Sequence, residues 1–557
     1  MSDTPSFIKF SVTDILKKGI GSSSSHTLAP WRSAQACYST LQTGNWLADL
    51  TGVTITLYGS LAFVGRGHYT TVALPLGFLG YDVMTFDVST QLQAALGIAS
   101  VTDIGQLTQL TYPDSGQTIR YTLIFDTVND TNQEKMLFTF HYGDSGSVAG
   151  RPDSLTYYSY GGGSYGTAPQ PQPLYANLSR LPVEYQDAAS LMAQLDAARL
   201  MVQLGNETLS DAIMRNEDAF AAYRLQYPDP SQPELPTSRA QVIAYLKDIA
   251  VQMGQLIFDG VTYADDDNCY QIMYATPRAK TMYQQLIGAQ GDISSLAAFF
   301  IRLRQLNPTF SFDQQLELVS LFALAVSEQN SALKHVVTAP TNGSCGTVPA
   351  VLYYYVVQHA SDEEVAWLFD PDATGDSLNG ILRFLVTAST VGGIVKNNAN
   401  ISGGVGGCQA EVGTSAAMAA GGLSDVLSGQ SPVVAFNAAE AALEDQLGST
   451  CDPIGGLVEL PCIDRNLSAA MMAITVSQTM LNLGSDYQST VPFDKAVEAM
   501  ENISDNMSDL YKETSTGGLA LVMQSDVEAK RPDLFPPTPA LRSARNKMRI
   551  PIFRTTC

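Results

Sequence analysis

Charge is scarce in this chain. Asp, Glu, Lys and Arg make up 15% of its 557 residues, against about 25% in an ordinary globular protein. Cations are the scarcer sign: 31 Lys and Arg stand against 54 Asp and Glu, a formal net charge of −23. No Lys/Arg-rich run occurs. Nucleic acids and anionic membranes are bound through clustered cations, so neither is an expected partner. Cysteine is also sparse. Seven residues, at 37, 269, 345, 408, 451, 462 and 557, are too few for a disulfide framework and point to free thiols or a metal site. No stretch of about 18 apolar residues is present, so no membrane span is expected. The opening MSDTPSF lacks the cationic-then-apolar order of a signal peptide, and a cytoplasmic location is expected. G-x-G-x-x-G after a strand, a P-loop, H-E-x-x-H and G-x-S-x-G are all missing, which sets aside the common nucleotide-binding, zinc-protease and serine-hydrolase designs.

Apolar residues make up 45% of the chain, enough for a large core, and the length suggests about two to four domains. SVTDILKKGIG (11–21) reads as a short amphipathic helix. GVTITLYGSLA alternates Val53, Ile55 and Leu57 on one face, the period of a strand. YDVMTFDVS, TIRYTLIFDTV, KMLFTFHYG and SLTYYSYGG are further predicted strands, rich in aromatic and β-branched residues. GGGSYGTAPQPQPLY (161–175) then breaks both periods and reads as a linker. Beyond it the pattern is helical, as in EYQDAASLMAQLDAARLMVQLG, closed by Gly205, in SRAQVIAYLKDIAVQMGQLIFDG and in FDQQLELVSLFALAVSEQ. The expected fold is an α+β N-terminal domain over 1–165, a linker over 166–183 and an all-α domain over 184–557.

Several segments carry polar groups in rigid settings. GIGSSSSHTLAPW sets four serines before His26, either a solvated loop or an anion-binding helix start. GSLAFVGRGHY places His68 behind a glycine-bracketed turn. HVVTAPTNGSCGTVP offers Thr338, Thr341 and Asn342 before a predicted helix, as a ligand-facing turn or an ordinary cap. Cys408 lies among glycines, and Cys451 and Cys462 lie beside prolines. Their spacings of 43 and 11 residues match no zinc ribbon or ferredoxin. Buried inert thiols and a metal or iron–sulfur site both remain open on spacing alone. ADDDN (264–268) and DPDATGD (370–376) read as acidic loops.

Taken together the segments resemble the bacterial iron–sulfur L-serine dehydratases. SVTDILKKGIGSSSSHT, GSLAFVGRGH, YYSYGGG, GNETLSDAIMRNEDAF, VVTAPTNG, NISG, GCQAEVG, TCDPIGGLV, PCIDRN and ETSTGGLA follow in the family's order. The resemblance implies a lyase with a regulatory α+β domain and a helical catalytic domain. It implies a [4Fe-4S] cluster held by Cys408, Cys451 and Cys462, with an open fourth iron that the terminal Cys557 caps at rest, and no pyridoxal phosphate. Cys345 is not among the implied ligands. It also implies a homodimer acting on a small amino acid. An open iron polarises the bond to a β-hydroxyl, and the protein supplies a base for the Cα proton and anchors for the substrate. His26 and His68 match the family's important histidines, with Lys396 and Asn398 as further candidates. Ser23, Ser24, Ser25, Thr27, Thr338, Thr341 and Asn342 are the implied substrate anchors.

The chain departs from the family pattern at five places. Ser22 stands for Pro, Ala29–Pro30–Trp31 for Gly-Pro-Met, Gly404–Val405–Gly406 for Ala-Glu-Val, Asn397 for Glu and Thr516 for Arg. The first and third lie beside the implied site and bear on the substrate. Desulfidation of L-cysteine is the alternative within the same chemistry, and a non-catalytic amino-acid sensor is the alternative outside it. A pyridoxal-phosphate dehydratase would need a Schiff-base lysine, for which Lys396 in its Asn-rich setting is a poor match.

Overall fold

The computed structural model describes residues 7–128, 134–143, 148–169, 175, 177–201, 208–228, 235–288, 294–375 and 378–535. An N-terminal α/β region is followed by a mostly helical one, which agrees with the expected order. The strands are β1 (Lys17–Ile20), β2 (Leu50–Tyr58), β3 (Gln109–Thr111), β4 (Thr118–Asp126), β5 (Lys135–Tyr142), β6 (Ser154–Ser159), β7 (Tyr165–Gly166) and β8 (His335–Thr338).

Six of them form one mixed sheet in the order β3-β4-β2-β5-β6-β7. β2 runs parallel to β4 and antiparallel to β5. The alternation seen in the sequence is realised: Val53, Ile55 and Leu57 of β2 and Met136, Phe138 and Phe140 of β5 turn into one core. Helices Ala29–Thr43 and Thr70–Phe78 cover that face, through Ala34, Cys37 and Leu41 and through Leu74 and Phe78.

Two expectations fail. YDVMTFDVS forms no strand. Asp82 Oδ1 accepts the Met84 N–H at 2.9 Å, and Asp87 Oδ1 accepts the Ser89 N–H at 2.9 Å to cap the helix Val88–Leu96. Such side-chain bonds give the backbone a local alternative to a sheet. SVTDILKKGIG is helical only over Val12–Ile15, capped by Ser11. Its second half becomes β1, because β8 arrives antiparallel from the other half of the chain and pairs Lys17 with Thr338 through Ile20 with His335.

That pairing positions the site. Ile8, Val12, Ile15 and Leu16 pack in the same core as the later helices. Helices Thr347–Gln358, Gly380–Asn398, Pro432–Glu444 and Cys462–Leu483 surround the Ala-rich helix Thr414–Leu427, which is buried along most of its length. Gly205 and Cys557 lie outside the described residues.

Candidate active site

The serine run is not a solvated loop: Ser22 to Thr27 are all buried. Ser23 Oγ accepts the His26 N–H at 3.2 Å and caps a turn over Ser24–Leu28 that runs into the helix behind it. Ser25 Oγ lies 2.7 Å from His26 Nδ1, and Ser60 Oγ lies 2.8 Å from His26 Nε2. The two histidine segments are tied reciprocally. Thr27 Oγ1 donates to the His68 carbonyl at 2.6 Å, and Thr70 Oγ1 donates to the His26 carbonyl. The two rings stand 4.8 Å apart, centroid to centroid.

Glu513 reaches both rings. Its Oε1 is 2.7 Å from His68 Nε2 and its Oε2 is 3.5 Å from His26 Nδ1. Burial pushes His26 down to about 3, with Glu513 pulling it up and His68 pulling it down, so this imidazole is neutral. Burial opposes ionisation of Glu513, but the two imidazoles outweigh it and hold the carboxyl below its ordinary value.

Cys408, Cys451 and Cys462 are buried and meet within hydrogen-bond reach of Cys408 Sγ. Cys408 ends the glycine-rich stretch before the turn Gln409–Gly413. Cys451 donates its N–H to Tyr511 O at 2.7 Å, and Cys462 opens the helix Cys462–Leu483. The other two thiols donate to Cys408 and, with Arg465, hold it well below an ordinary thiol against the effect of burial. Arg465 Nη1 lies 3.1 Å from Cys408 Sγ, while its Nη2 pairs with Asp452 Oδ1 at 3.0 Å. Three converging soft sulfur donors beside a guanidinium suit a thiolate-held metal or an iron–sulfur cluster.

The two groups adjoin. Glu411 comes within 4.8 Å of the Cys408 and Cys451 sulfurs through its carboxyl oxygen. Burial, then the charges of Glu513 and Cys408, raise it well above its ordinary value, while a hydrogen bond from Thr341 lowers it. Asp452, next to Cys451, accepts the Leu519 N–H at 2.7 Å and so anchors the segment that carries Glu513. Asn466 holds the Thr341–Asn342 loop against the cysteine helix, through Nδ2 to Gly343 O at 2.7 Å and Oδ1 to Gly346 N at 3.0 Å.

The remaining candidates divide. Thr341 hydrogen-bonds Glu411, whereas Asn342 donates through Nδ2 to Ile20 O at 2.7 Å and keeps its Oδ1 buried without a hydrogen-bond partner among the described residues. Thr338 instead bonds the Lys17 backbone in the β1–β8 pair. Lys396 Nζ lies 3.5 Å from the Asp14 carbonyl and over the Phe10 ring. Asn398 is exposed, and its amide donates to Gln186 O and Ile394 O. The structure therefore joins neither Lys396 nor Asn398 to the histidines or cysteines. Cys345 lies in the helical core.

Glu411, Glu513, Arg465 and Ser60 had no assigned role in the sequence reading, although each lies inside a motif: GCQAEVG, ETSTGGLA, PCIDRN and GSLAFVGRGH. Glu134 lies in none. Burial raises its carboxyl to about 8, with Ser402 pulling it down and Glu513 pushing it up.

A neutral imidazole, an imidazole–carboxylate pair and three clustered thiols in one buried space are the equipment of an enzyme. Comparison with known sequences agrees. The serine dehydratase alpha chain family matches residues 195–520, and the serine dehydratase beta chain family matches residues 11–168. An L-serine dehydratase of Haemophilus influenzae is 31% identical over 520 residues, covering 92% of this chain and 98% of that protein. L-serine dehydratase 2 of Escherichia coli is 32% identical with the same coverage, 92% and 98%. An L-serine dehydratase of Mycobacterium tuberculosis is 34% identical over 513 residues, covering 92% of this chain and 97% of its own. The chain belongs to the serine dehydratase family, with the alpha and beta parts in one polypeptide, and is a lyase.

Proposed function

We propose that the protein converts L-serine to pyruvate and ammonia, using a [4Fe-4S] cluster held by Cys408, Cys451 and Cys462. One observation carries the reading: Glu513, which lies within electrostatic reach of the Cys408 and Cys451 thiols, fixes one nitrogen of a buried histidine and leaves the other without a hydrogen bond. His68 Nε2 binds Glu513 Oε1 at 2.7 Å. His68 Nδ1 is buried with no hydrogen-bond partner among the described residues. Glu513 thus selects the tautomer that carries its proton on Nε2 and leaves the Nδ1 lone pair as an acceptor.

His68 is accordingly assigned as the base that takes the Cα proton at Nδ1. His26 has both ring nitrogens engaged by Ser25 and Ser60. It positions rather than accepts, holding Ser60 and closing one wall. The bound cluster would supply Lewis acidity that makes the β-hydroxyl a better leaving group. Asn342 Oδ1 offers an acceptor to a substrate donor. After loss of the Cα proton and of hydroxide, the aminoacrylate released tautomerises and takes up water, giving one pyruvate and one ammonium per serine.

Anaerobically prepared protein should show the broad absorption of a [4Fe-4S] cluster, contain about four irons per chain, and release pyruvate and ammonia in equal amounts from L-serine. Protein with a full cluster that yields neither product from L-serine would overturn the substrate assignment. Active protein without iron would overturn the cluster. The expected homodimer is checked by sedimentation.

A further inference from the structure

Cys462 and Arg465 stand three residues apart in the first turn of the helix Cys462–Leu483, a spacing that puts both side chains on one face. From there the Arg465 guanidinium reaches the segments that carry the other two cysteines. Its Nη1 donates to Cys408 Sγ at 3.1 Å and to the Thr450 carbonyl. Its Nη2 donates to Asp452 Oδ1 at 3.0 Å. Thr450 and Asp452 flank Cys451. One side chain therefore fastens all three thiol-bearing segments to one another.

Two further observations set this contact apart from an ordinary ion pair. The Asp452 side chain is 6% exposed, and its second oxygen accepts the Leu519 N–H at 2.7 Å. Gly518 allows that approach: its φ is 53°, and a Cβ there would run into Asp452 Oδ2. The carboxylate is thus clamped, and it fixes the plane of the guanidinium with Nη1 toward the sulfur. The second observation is the chemistry of that edge. Asp452 takes the Nη2 side, while Nη1 meets a sulfur and a carbonyl. A largely desolvated cation needs negative charge beside it, and a metal-bound thiolate supplies it where a free thiol does not.

We propose that Arg465 is a positioning residue for the iron–sulfur cluster: Nη1 donates to the Cys408 sulfur as a metal-bound thiolate, which raises the reduction potential of the cluster and slows its loss of iron. Reduction adds negative charge, and a cation with an N–H aimed at a ligand sulfur favours the more negative state. Iron is lost when a ligand thiolate takes up a proton or swings away. A guanidinium that holds the sulfur and gathers the three segments opposes both, as partners behind metal ligands generally do. Lysine cannot replace it fully. Its ammonium is a point charge without a planar fork, so it keeps the field at the sulfur but not the span to Asp452 and Thr450.

This inference rests on the cluster proposed above, and its test separates the two. Arg465→Gln removes the charge, and Arg465→Lys keeps the charge without the fork. The anaerobic holoprotein is titrated potentiometrically, with electron paramagnetic resonance of the reduced cluster as the signal. The midpoint should be more negative than wild type in Arg465→Gln and close to wild type in Arg465→Lys. Iron captured by EDTA in air should leave Arg465→Gln about 10- to 100-fold faster than wild type, with Arg465→Lys in between. A merely structural arginine would lower the thermal midpoint of both variants and leave the potential of the assembled cluster unmoved. If Arg465→Gln assembles no cluster, Arg465→Lys decides: iron loss at the wild-type rate overturns the proposal. So does an unchanged midpoint in Arg465→Gln, or an equal displacement in both variants. Protein that shows both Arg465 effects yet makes no pyruvate overturns the function and leaves the role of Arg465 standing. Protein that makes pyruvate with a cluster indifferent to Arg465 does the reverse, and wild type that binds no iron overturns both.

Discussion

Glu513 Oε1 lies 2.7 Å from His68 Nε2 across 445 residues of chain. Both side chains are buried, and the pair joins the sheet-bearing half to the cysteine-bearing half. In the proposed mechanism the carboxylate that fixes the imidazole tautomer and the base that uses the opposite nitrogen act as one unit.

Glu513→Gln and His68→Asn should each lower kcat by about 10²-fold or more, the usual scale for a lost acid–base group. The double variant should be little worse than either single one, because members of a unit are not additive. Steady-state pyruvate release checks this. Normal turnover in the His68 variant would remove it as the base.

Serine in place of Cys408, Cys451 or Cys462 should lower bound iron and sulfide in anaerobically purified protein. The same change at Cys37, within the sheet core, or at Cys269 should leave both intact. Metal and sulfide analysis decides. Full iron in all three site variants would refute their role as ligands.

His26 should make the fold sensitive to acid. Its folded value is about 3, below the ordinary value of about 6.5. Between those values the unfolded chain binds the proton and the folded chain does not, so stability rises with pH through that window and falls as pH drops. At about 1.36 kcal/mol per pH unit, going from pH 6.5 to pH 4 removes roughly 3 kcal/mol. Denaturant melts across that range should be shallower in pH for His26→Gln than for the wild type. Identical pH slopes would mean that His26 is charged in the fold.

Gly403→Ala should lower turnover by about tenfold or more while leaving the global melt within a few degrees. Its methyl would stand 2.7 Å from Glu411 Oε2 and 3.3 Å from Glu513 Oε2, so the carboxyls must move and the rest of the fold need not. Wild-type kinetics in this variant would show that the two carboxyls tolerate displacement without consequence for the reaction.

The order of motifs, the strand alternation of Val53, Ile55 and Leu57, and the helical periodicity beyond the linker were legible in the sequence, because each is a property of neighbours along the chain. So was the chemistry carried within a motif, such as cysteines in rigid Gly/Pro turns and histidines in Gly- or Ser-rich ones. What needed tertiary structure is whatever two distant segments do to each other. Lys17–Ile20 leaves helix for strand because β8 supplies the backbone partners. The four serines of 22–25 are buried rather than solvated, because Thr27 and Thr70 lock their segment onto that of His68. Lys396 and Asn398, near the site in sequence, are turned toward Asp14 and Gln186. Glu134, outside every motif, is carried to Gly404 by the edge of a strand. Local patterns set the elements, since backbone hydrogen bonding and side-chain period act over a few residues. The choice of which carboxyl faces which imidazole belongs to packing, since burial and charge pairing are settled only when the two halves close on each other.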